Sequence, residues 1–282
     1  MTAHPPLPPI FSETEGDSGS PVLLIMGLGS PGSAWRHQIP DLAHHHQVAW
    51  FDHRGLGQSP LPETLQTTED MAKDALSVLD SKQWGSAHVV GVSMGGMVAQ
   101  SLALMATDRI RSLTLIATHP GGLQFTIPPL PGLYYLLRSG MTSGTRRLQI
   151  LSRLLFPAPF RTQRDTQWIL DVLEKDFGTI PSRFTQHSQI HAIKKHQTQK
   201  RLHNLAGIPT LVVRPGSDLM IRAKGSDFLA QNIPGAQLLR IEEAGHGIVR
   251  QCPEILNPAL LEHFKRSDQQ QADTPAYERA QT

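Results

Sequence analysis

Five consecutive residues, Gly91-Val92-Ser93-Met94-Gly95, constrain the fold of this chain more than any other stretch. The apolar run His88-Val89-Val90-Gly91-Val92 precedes the serine and predicts a buried strand. The run from Gly95 to Leu104 (Gly-Gly-Met-Val-Ala-Gln-Ser-Leu-Ala-Leu) follows it and predicts a helix. A strand that turns at once into a helix forces its corner residue into a strained backbone conformation. Glycines on either side relieve the crowding there. The helix N-terminus under the corner favours negative charge that develops beside it. Ser93 therefore reads as a nucleophile presented on a sharp strand–helix turn.

The rest of the chain repeats strand and helix signals around this corner. Val22–Met26, Val48–Asp52, Leu113–Ala117, Thr210–Val213 and Gln237–Ile241 are short apolar runs of the kind buried on both faces of a parallel sheet. Thr67, three residues before Asp70, resembles a capping box, and Ala72, Ala75, Leu76 and Leu79 then share a helical face. Strands alternating with helices predict an α/β fold with a doubly wound, mostly parallel sheet. Residues 1–20 are expected to add one or two edge strands.

Between residues 120 and 206 the strand signal stops. The breaker cluster Pro128-Pro129-Leu130-Pro131-Gly132 is followed by helical stretches at Leu133–Arg138, Arg146–Leu155, Thr162–Phe177 and Ser182–Asn204. This predicts a helical cap inserted into a core formed by residues 1–119 and 207–266. Open α/β sheets carry their sites at the carboxyl ends of the strands, where such an insertion would act as a lid. The apolar residues Trp168, Ile169, Val172 and Leu173 are expected to bury against the site mouth. Residues 267–282, with Gln269-Gln270-Gln271, read as a disordered tail.

Composition excludes several classes. The formal net charge is +2 over 282 residues, so bulk charge makes no case for nucleic acid or an anionic membrane. No apolar stretch approaches the ~20 residues needed to span a bilayer. The amino terminus lacks the basic and apolar regions of a signal peptide, and Cys252 is the only cysteine, so a cytoplasmic location is expected. Cys252 reads as a packing residue. His44-His45-His46 reads as a solvated loop rather than a metal cluster, Lys194-Lys195-His196 as a solvated helix face, and Trp35 as a packing aromatic. No metal and no cofactor are expected. The oligomeric state is left open.

A serine nucleophile needs a base, and the base needs an orienting acid. Asp218 follows the strand Leu211–Val213 in Pro215-Gly216-Ser217-Asp218. His246 follows the strand Gln237–Ile241 in Gly245-His246-Gly247. Glu242 and Glu243 are alternative acids, but they precede His246 on its own loop, where contact is harder to arrange.

In this order these motifs resemble the α/β-hydrolase family over nearly the whole chain, from Pro21 to Phe264. They are Met26-Gly27-Leu28-Gly29, Asp52-His53-Arg54-Gly55-Leu56-Gly57-Gln58-Ser59, Gly91–Gly96, the Asp218 loop and Gly245-His246-Gly247. The resemblance implies Ser93 as nucleophile, His246 as general base and acid, and Asp218 as its orienter. It also implies an oxyanion hole made by the backbone N–H groups of Leu28 and Met94. Two positions depart from the family pattern. Met26 stands where His is frequent, and Pro215 stands where the acid loop commonly opens with Gly. Asp52, His53 and Arg54 are expected to pin the loop beneath the oxyanion turn.

The expected function is hydrolysis of a carboxylic ester or lactone of a small, largely apolar substrate through an acyl-enzyme. The alternatives are a C–C bond hydrolase or enol-lactonase of aromatic degradation, and a non-catalytic ligand-binding protein on the same fold. Ser93 in place of an elbow aspartate argues against haloalkane dehalogenase and epoxide hydrolase chemistry.

Overall fold

The computed structural model describes residues 9–273. Its strands are β1 (Ser12–Glu15), β2 (Pro21–Ile25), β3 (Gln47–Phe51), β4 (Ala87–Val92), β5 (Ile110–Ile116), β6 (Thr210–Pro215) and β7 (Gln237–Ile241). They form one sheet in the order β1-β3-β2-β4-β5-β6-β7. The edge strand β1 runs antiparallel to β3, and every other pairing is parallel. The helices in chain order are α1 (Ile39–Ala43), α2 (Thr68–Ser81), α3 (Met94–Met105), α4 (Leu123–Thr126), α5 (Leu130–Gly140) and α6 (Gly144–Leu155). They continue with α7 (Ala158–Gln163), α8 (Thr166–Phe177), α9 (Arg183–Lys195), α10 (Ala223–Asn232), α11 (Ile248–Gln251) and α12 (Pro253–Asp273).

The continuous apolar runs follow from burial on both sheet faces. Leu23, Ile25, Ala49, Phe51 and Val89 point to one face, where they pack with Met71, Ala75, Leu79, Val98 and Leu102 of α2 and α3. Val22, Leu24, Val48, Trp50 and Val90 point to the other, against Trp35, Leu42 and Phe264. With both faces covered, both sets of alternate residues are mainly apolar, and the buried polar pair His88 and Ser112 is satisfied internally, His88 Nδ1 lying 2.8 Å from Ser112 Oγ. The capping box starts α2: Thr67 Oγ1 accepts from the Asp70 N–H at 3.2 Å, and Asp70 Oδ2 accepts from the Thr67 N–H at 3.1 Å.

The connection from β5 to β6 carries α4 through α9 and builds an apolar core of its own. Leu148, Leu151, Leu154, Leu155 and Phe156 pack there with Ile169 and Leu173. Ile169 and Leu173 thus bury inside the insertion rather than at a site mouth, because the leucine face of α6 offers a larger apolar partner. The stretch Thr162–Phe177 divides into α7 and α8 because Asp165 caps the second helix, its side chain accepting from the Gln167 N–H at 3.1 Å.

Residues 267–273 are not a disordered tail. They continue α12, with Ser267 buried. Asp268 fixes this end of the helix: its carboxylate accepts from Arg111 Nη2 at 2.7 Å and from Ser20 Oγ at 2.7 Å, and lies 3.1 Å from His88 Nε2. These polar partners hold a polar helix end that has little apolar surface to bury. Residues 274–282 of the expected tail and residues 1–8 lie outside the described residues.

Candidate active site

Ser93 sits between β4 and α3 with φ 57° and ψ −121°. The corner is held from β5: Ser93 N–H donates to Ile116 O at 2.9 Å, and Thr118 Oγ1 donates to Ser93 O at 2.7 Å. Both flanking glycines are required by space. A Cβ on Gly91 would lie 2.3 Å from Gly95 O, and one on Gly95 would lie 2.1 Å from Ile25 O. No side chain fits at either position.

The loops after β6 and β7 bring Asp218 and His246 to this corner. His246 Nε2 lies 3.0 Å from Ser93 Oγ, and His246 Nδ1 lies 2.8 Å from Asp218 Oδ2. The other carboxylate oxygen, Oδ1, accepts from the N–H groups of Met220 at 2.6 Å and Ile221 at 2.9 Å. Asp218 is therefore oriented by its own loop, with Oδ2 left for the imidazole. The proline in place of the usual glycine at 215 does not disturb this. Glu242 turns away to Arg214, at 2.9 Å, and does not reach His246. With the carboxylate on Nδ1, the ring carries its proton there and leaves the Nε2 lone pair for the serine hydroxyl.

The loop after β2 faces the serine from the opposite side. A Cβ on Gly27 would lie 3.2 Å from Ser93 Cβ and 3.2 Å from Val92 O, so a side chain there would crowd the corner that glycine lets this backbone approach freely. Leu28 follows it, and Met94 opens α3, where its N–H has no intrahelical partner. His53 Nε2 donates to Met26 O at 2.9 Å, and Asp52 Oδ1 accepts from Gly32 N–H at 2.7 Å. These two side chains brace the loop from below, as their sequence positions suggest. Burial drives the His53 pKa down, so its ring stays neutral. Arg54 instead pairs with Asp74 of α2 at 2.8 Å.

The insertion touches each of these loops. Gln189 of α9, buried, accepts from the Gly29 N–H through Oε1 at 3.0 Å, next to Leu28. Ser188 Oγ accepts from the Gln66 N–H at 2.9 Å. Leu155 O, at the end of α6, accepts from the Gly247 N–H at 2.8 Å, next to His246. Asp176, near the end of α8, is clamped between Arg36 and Arg250, and Arg250 also reaches Ser30 Oγ at 3.3 Å. Neither Gln189 nor Asp176 is legible as a contact in sequence. The one signal is an acidic residue near the end of an amphipathic helix that also carries Asp171 and Glu174, and such residues are usually solvated.

The remaining marked residues have structural places. Trp35 is fully buried. Cys252 is buried and its thiol pKa is pushed up to about 12, so it is inert as a nucleophile. His44 and His45 are exposed, as expected of a solvated loop, but His46 is buried against Phe264, with ring centroids 5.3 Å apart. Lys194 and Lys195 are exposed, whereas His196 is buried with Nδ1 3.1 Å from Thr68 Oγ1. In both histidines a ring nitrogen finds a hydroxyl, Ser20 Oγ for His46 and Thr68 Oγ1 for His196, which offsets the cost of turning inward from runs otherwise solvated. Among the described residues, no group of three or more His, Cys, Asp or Glu is placed to hold a metal ion. Among them also, no helix is long and apolar enough to cross a membrane.

A parallel sheet with a serine at the β4–α3 corner, and an aspartate and a histidine on the loops after β6 and β7, defines the class. The chain belongs to the α/β-hydrolase fold family, whose model matches residues 20–249. It is similar to a protein of Azorhizobium caulinodans provisionally named carbamate hydrolase RutD, with 30% identity over 270 residues, covering 92% of this chain and 96% of the relative. It is also similar to a Mycobacterium tuberculosis protein provisionally named non-heme bromoperoxidase BpoC, with 30% identity, covering 89% and 95% of the two chains. Among solved structures, the enol-lactonase from Burkholderia xenovorans LB400 superposes with a TM-score of 0.78 at 22% identity, covering 91% of this chain and 96% of that one.

Proposed function

We propose that this protein is a serine hydrolase that cleaves a carboxylic ester or lactone of a small, largely apolar substrate through an acyl-enzyme. The observation that carries this reading is the hydrogen-bond chain from Ser93 Oγ through His246 to Asp218, with distances of 3.0 and 2.8 Å. Ser93 Oγ attacks the carbonyl carbon while His246 Nε2 takes the hydroxyl proton. Asp218 holds the tautomer and stabilises the imidazolium. The tetrahedral oxyanion is bound by the N–H groups of Leu28 and Met94. His246 returns the proton to the leaving alkoxide, and the acyl-enzyme remains on Ser93. Water, deprotonated by the same Nε2, then releases the acid and regenerates the serine. All steps are proton and acyl transfers, so side chains and backbone suffice.

In the same reading residues 120–206 form a cap that sets specificity. Support comes from the contacts of Gln189, Leu155 and Asp176 with the loops around Ser93. The relative provisionally named a carbamate hydrolase is compatible with attack on a carbonyl, so carbamates belong in a substrate screen beside esters, lactones and dienones.

A fluorophosphonate probe and a chromogenic short-chain ester test the assignment. The probe is expected to label Ser93, and Ser93→Ala is expected to lower kcat by at least ~10³-fold in a protein that melts as the native one does. Labelling of a different serine, or full turnover by the alanine variant, overturns it.

A further inference from the structure

The small net charge conceals a segregation. Residues 120–164 contain six arginines and no Asp, Glu or Lys. The same segment exposes large apolar side chains: Leu130 is 79% accessible, Tyr134 53%, Leu137 61% and Met141 85%, with Leu123 and Ile127 also exposed just before them. Leu130, Tyr134, Leu137 and Met141 follow one another at intervals of four, three and four residues, which aligns them on one face of α5 and its C-cap.

The opposite side of α5 carries its small residues. Gly132 and Ser139 are the buried positions, and a Cβ on Gly132 would lie 1.6 Å from Leu219 O, in the loop that carries Asp218. The helix packs Tyr135 and Leu136 against the apolar core of the insertion and still turns Leu130, Tyr134, Leu137 and Met141 outward. An amphipathic helix with one partner needs a single apolar stripe, so this second, exposed stripe is open to another apolar phase.

The charges choose between phases. Arg138 flanks the stripe, with its guanidinium 5.7 Å from the Tyr134 ring and Nη1 donating to the Tyr134 hydroxyl at 3.0 Å. Arg146 and Arg153 are exposed on the side of α6 away from its buried leucines. A second copy of this chain seated on the stripe would bring arginines of one sign together. A bilayer with anionic headgroups would instead accept the apolar side chains below and the guanidinium groups at the headgroup level.

We propose that the outer face of α5, flanked by Arg138, Arg146 and Arg153, docks on an anionic lipid surface. Docking there would place the back of the Asp218 loop near the bilayer and present the site to esters dissolved in it. That consequence rests on the hydrolase reading, whereas docking itself does not.

Flotation of the full-length protein with phosphatidylcholine vesicles, with and without phosphatidylglycerol, tests the proposal. The protein is expected to float with the anionic vesicles, to remain behind with the neutral ones, and to be released as salt rises. Leu137→Asp combined with Met141→Asp is expected to reduce the bound fraction at least about tenfold, and Arg138→Glu with Arg146→Glu to reduce it comparably. These side chains are exposed on the outer face of the cap, apart from the Gln189, Leu155 and Asp176 contacts through which it meets the loops around Ser93, so the native melting temperature and the native rate on a water-soluble ester are retained. If that ester is not cleaved by any form, the hydrolase reading fails while the flotation result still stands. Failure of the native protein to float overturns the proposal, as does equal flotation with neutral vesicles. A concentration-dependent dimer in light scattering that disappears in the Leu137→Asp, Met141→Asp variant also overturns it.

Discussion

Asp176 on the helical insertion and Arg250, four residues beyond His246, form a buried ion pair across the seam between insertion and sheet domain. Arg36, at the end of the turn that follows the β2 loop, takes the other carboxylate oxygen. One carboxylate therefore ties α8 to two of the three loops that meet at Ser93. Replacing it leaves two guanidinium groups in the seam without their counter-charge, Arg250 being nearly fully buried. Asp176→Ala is expected to lower stability by about 3 kcal/mol, the scale for removing one partner of a buried pair. Urea unfolding followed by fluorescence measures this, and a loss under about 1 kcal/mol would show that the insertion is held by its apolar contacts alone.

Asp218 and Glu242 can be separated as candidate acids by kinetics. Only Asp218 contacts His246, while Glu242 is exposed and paired with Arg214. Asp218→Asn is expected to cost about 10³-fold or more in kcat, because the amide no longer favours the required tautomer. Glu242→Gln should stay within about threefold of the native rate. The reverse order of losses would mean that the acid is misassigned.

Gln189 is expected to act from the insertion on the loop after β2, to which the proposed mechanism gives an oxyanion donor. Its Oε1 is the acceptor for the Gly29 N–H, one residue beyond Leu28. Gln189→Met fills the same space but removes the acceptor, leaving a partly buried N–H without its side-chain partner and the loop free to shift. A shift of this kind weakens transition-state binding more than substrate binding, so kcat should fall by about tenfold with KM within about threefold. Equal changes in both constants, or none in kcat, would confine Gln189 to a packing role.

Stability should fall on mild acidification. Burial lowers the pKa of His119 to about 4, of His196 to about 3 and of His263 to about 4, and it also lowers those of His46, His53 and His88. An unfolded histidine titrates near 6.5, so below that pH the unfolded chain binds protons that the folded chain refuses. The stabilisation is complete above about 6.5 and is lost as pH falls toward about 4. Each such histidine contributes up to about 1.4 kcal/mol per pH unit in that interval. Asp268 is lowered by its partners His88, Ser20 and Arg111, so its contribution is lost only below the ordinary carboxylate range. The urea midpoint should therefore drop clearly between pH 7 and pH 5; an unchanged midpoint would mean that these rings take up protons without leaving their sites.

What the sequence determined by itself is the part of this protein that depends on local pattern. Continuous apolar runs specify strands that must be covered on both faces. The paired glycines around Ser93 specify a corner that no other residue tolerates, with Gly91 and Gly95 pressed against backbone oxygens. Chain order places Asp218 and His246 on loops after β6 and β7, because parallel strands deliver their carboxyl ends to one edge of the sheet. Tertiary structure decided the rest. Ile169 and Leu173 could satisfy their burial against any apolar surface, and the leucine face of α6 supplied it. The clamp of Arg36 and Arg250 on Asp176 joins residues more than seventy positions apart. Asp268 holds an otherwise polar helix end through polar partners that arrive from β5, β4 and the turn before β2. A polar side chain in a sequence carries no mark of the partner it will meet, because hydrogen bonds and ion pairs are set by distance in space, whereas strand and helix periodicity is set by distance along the chain.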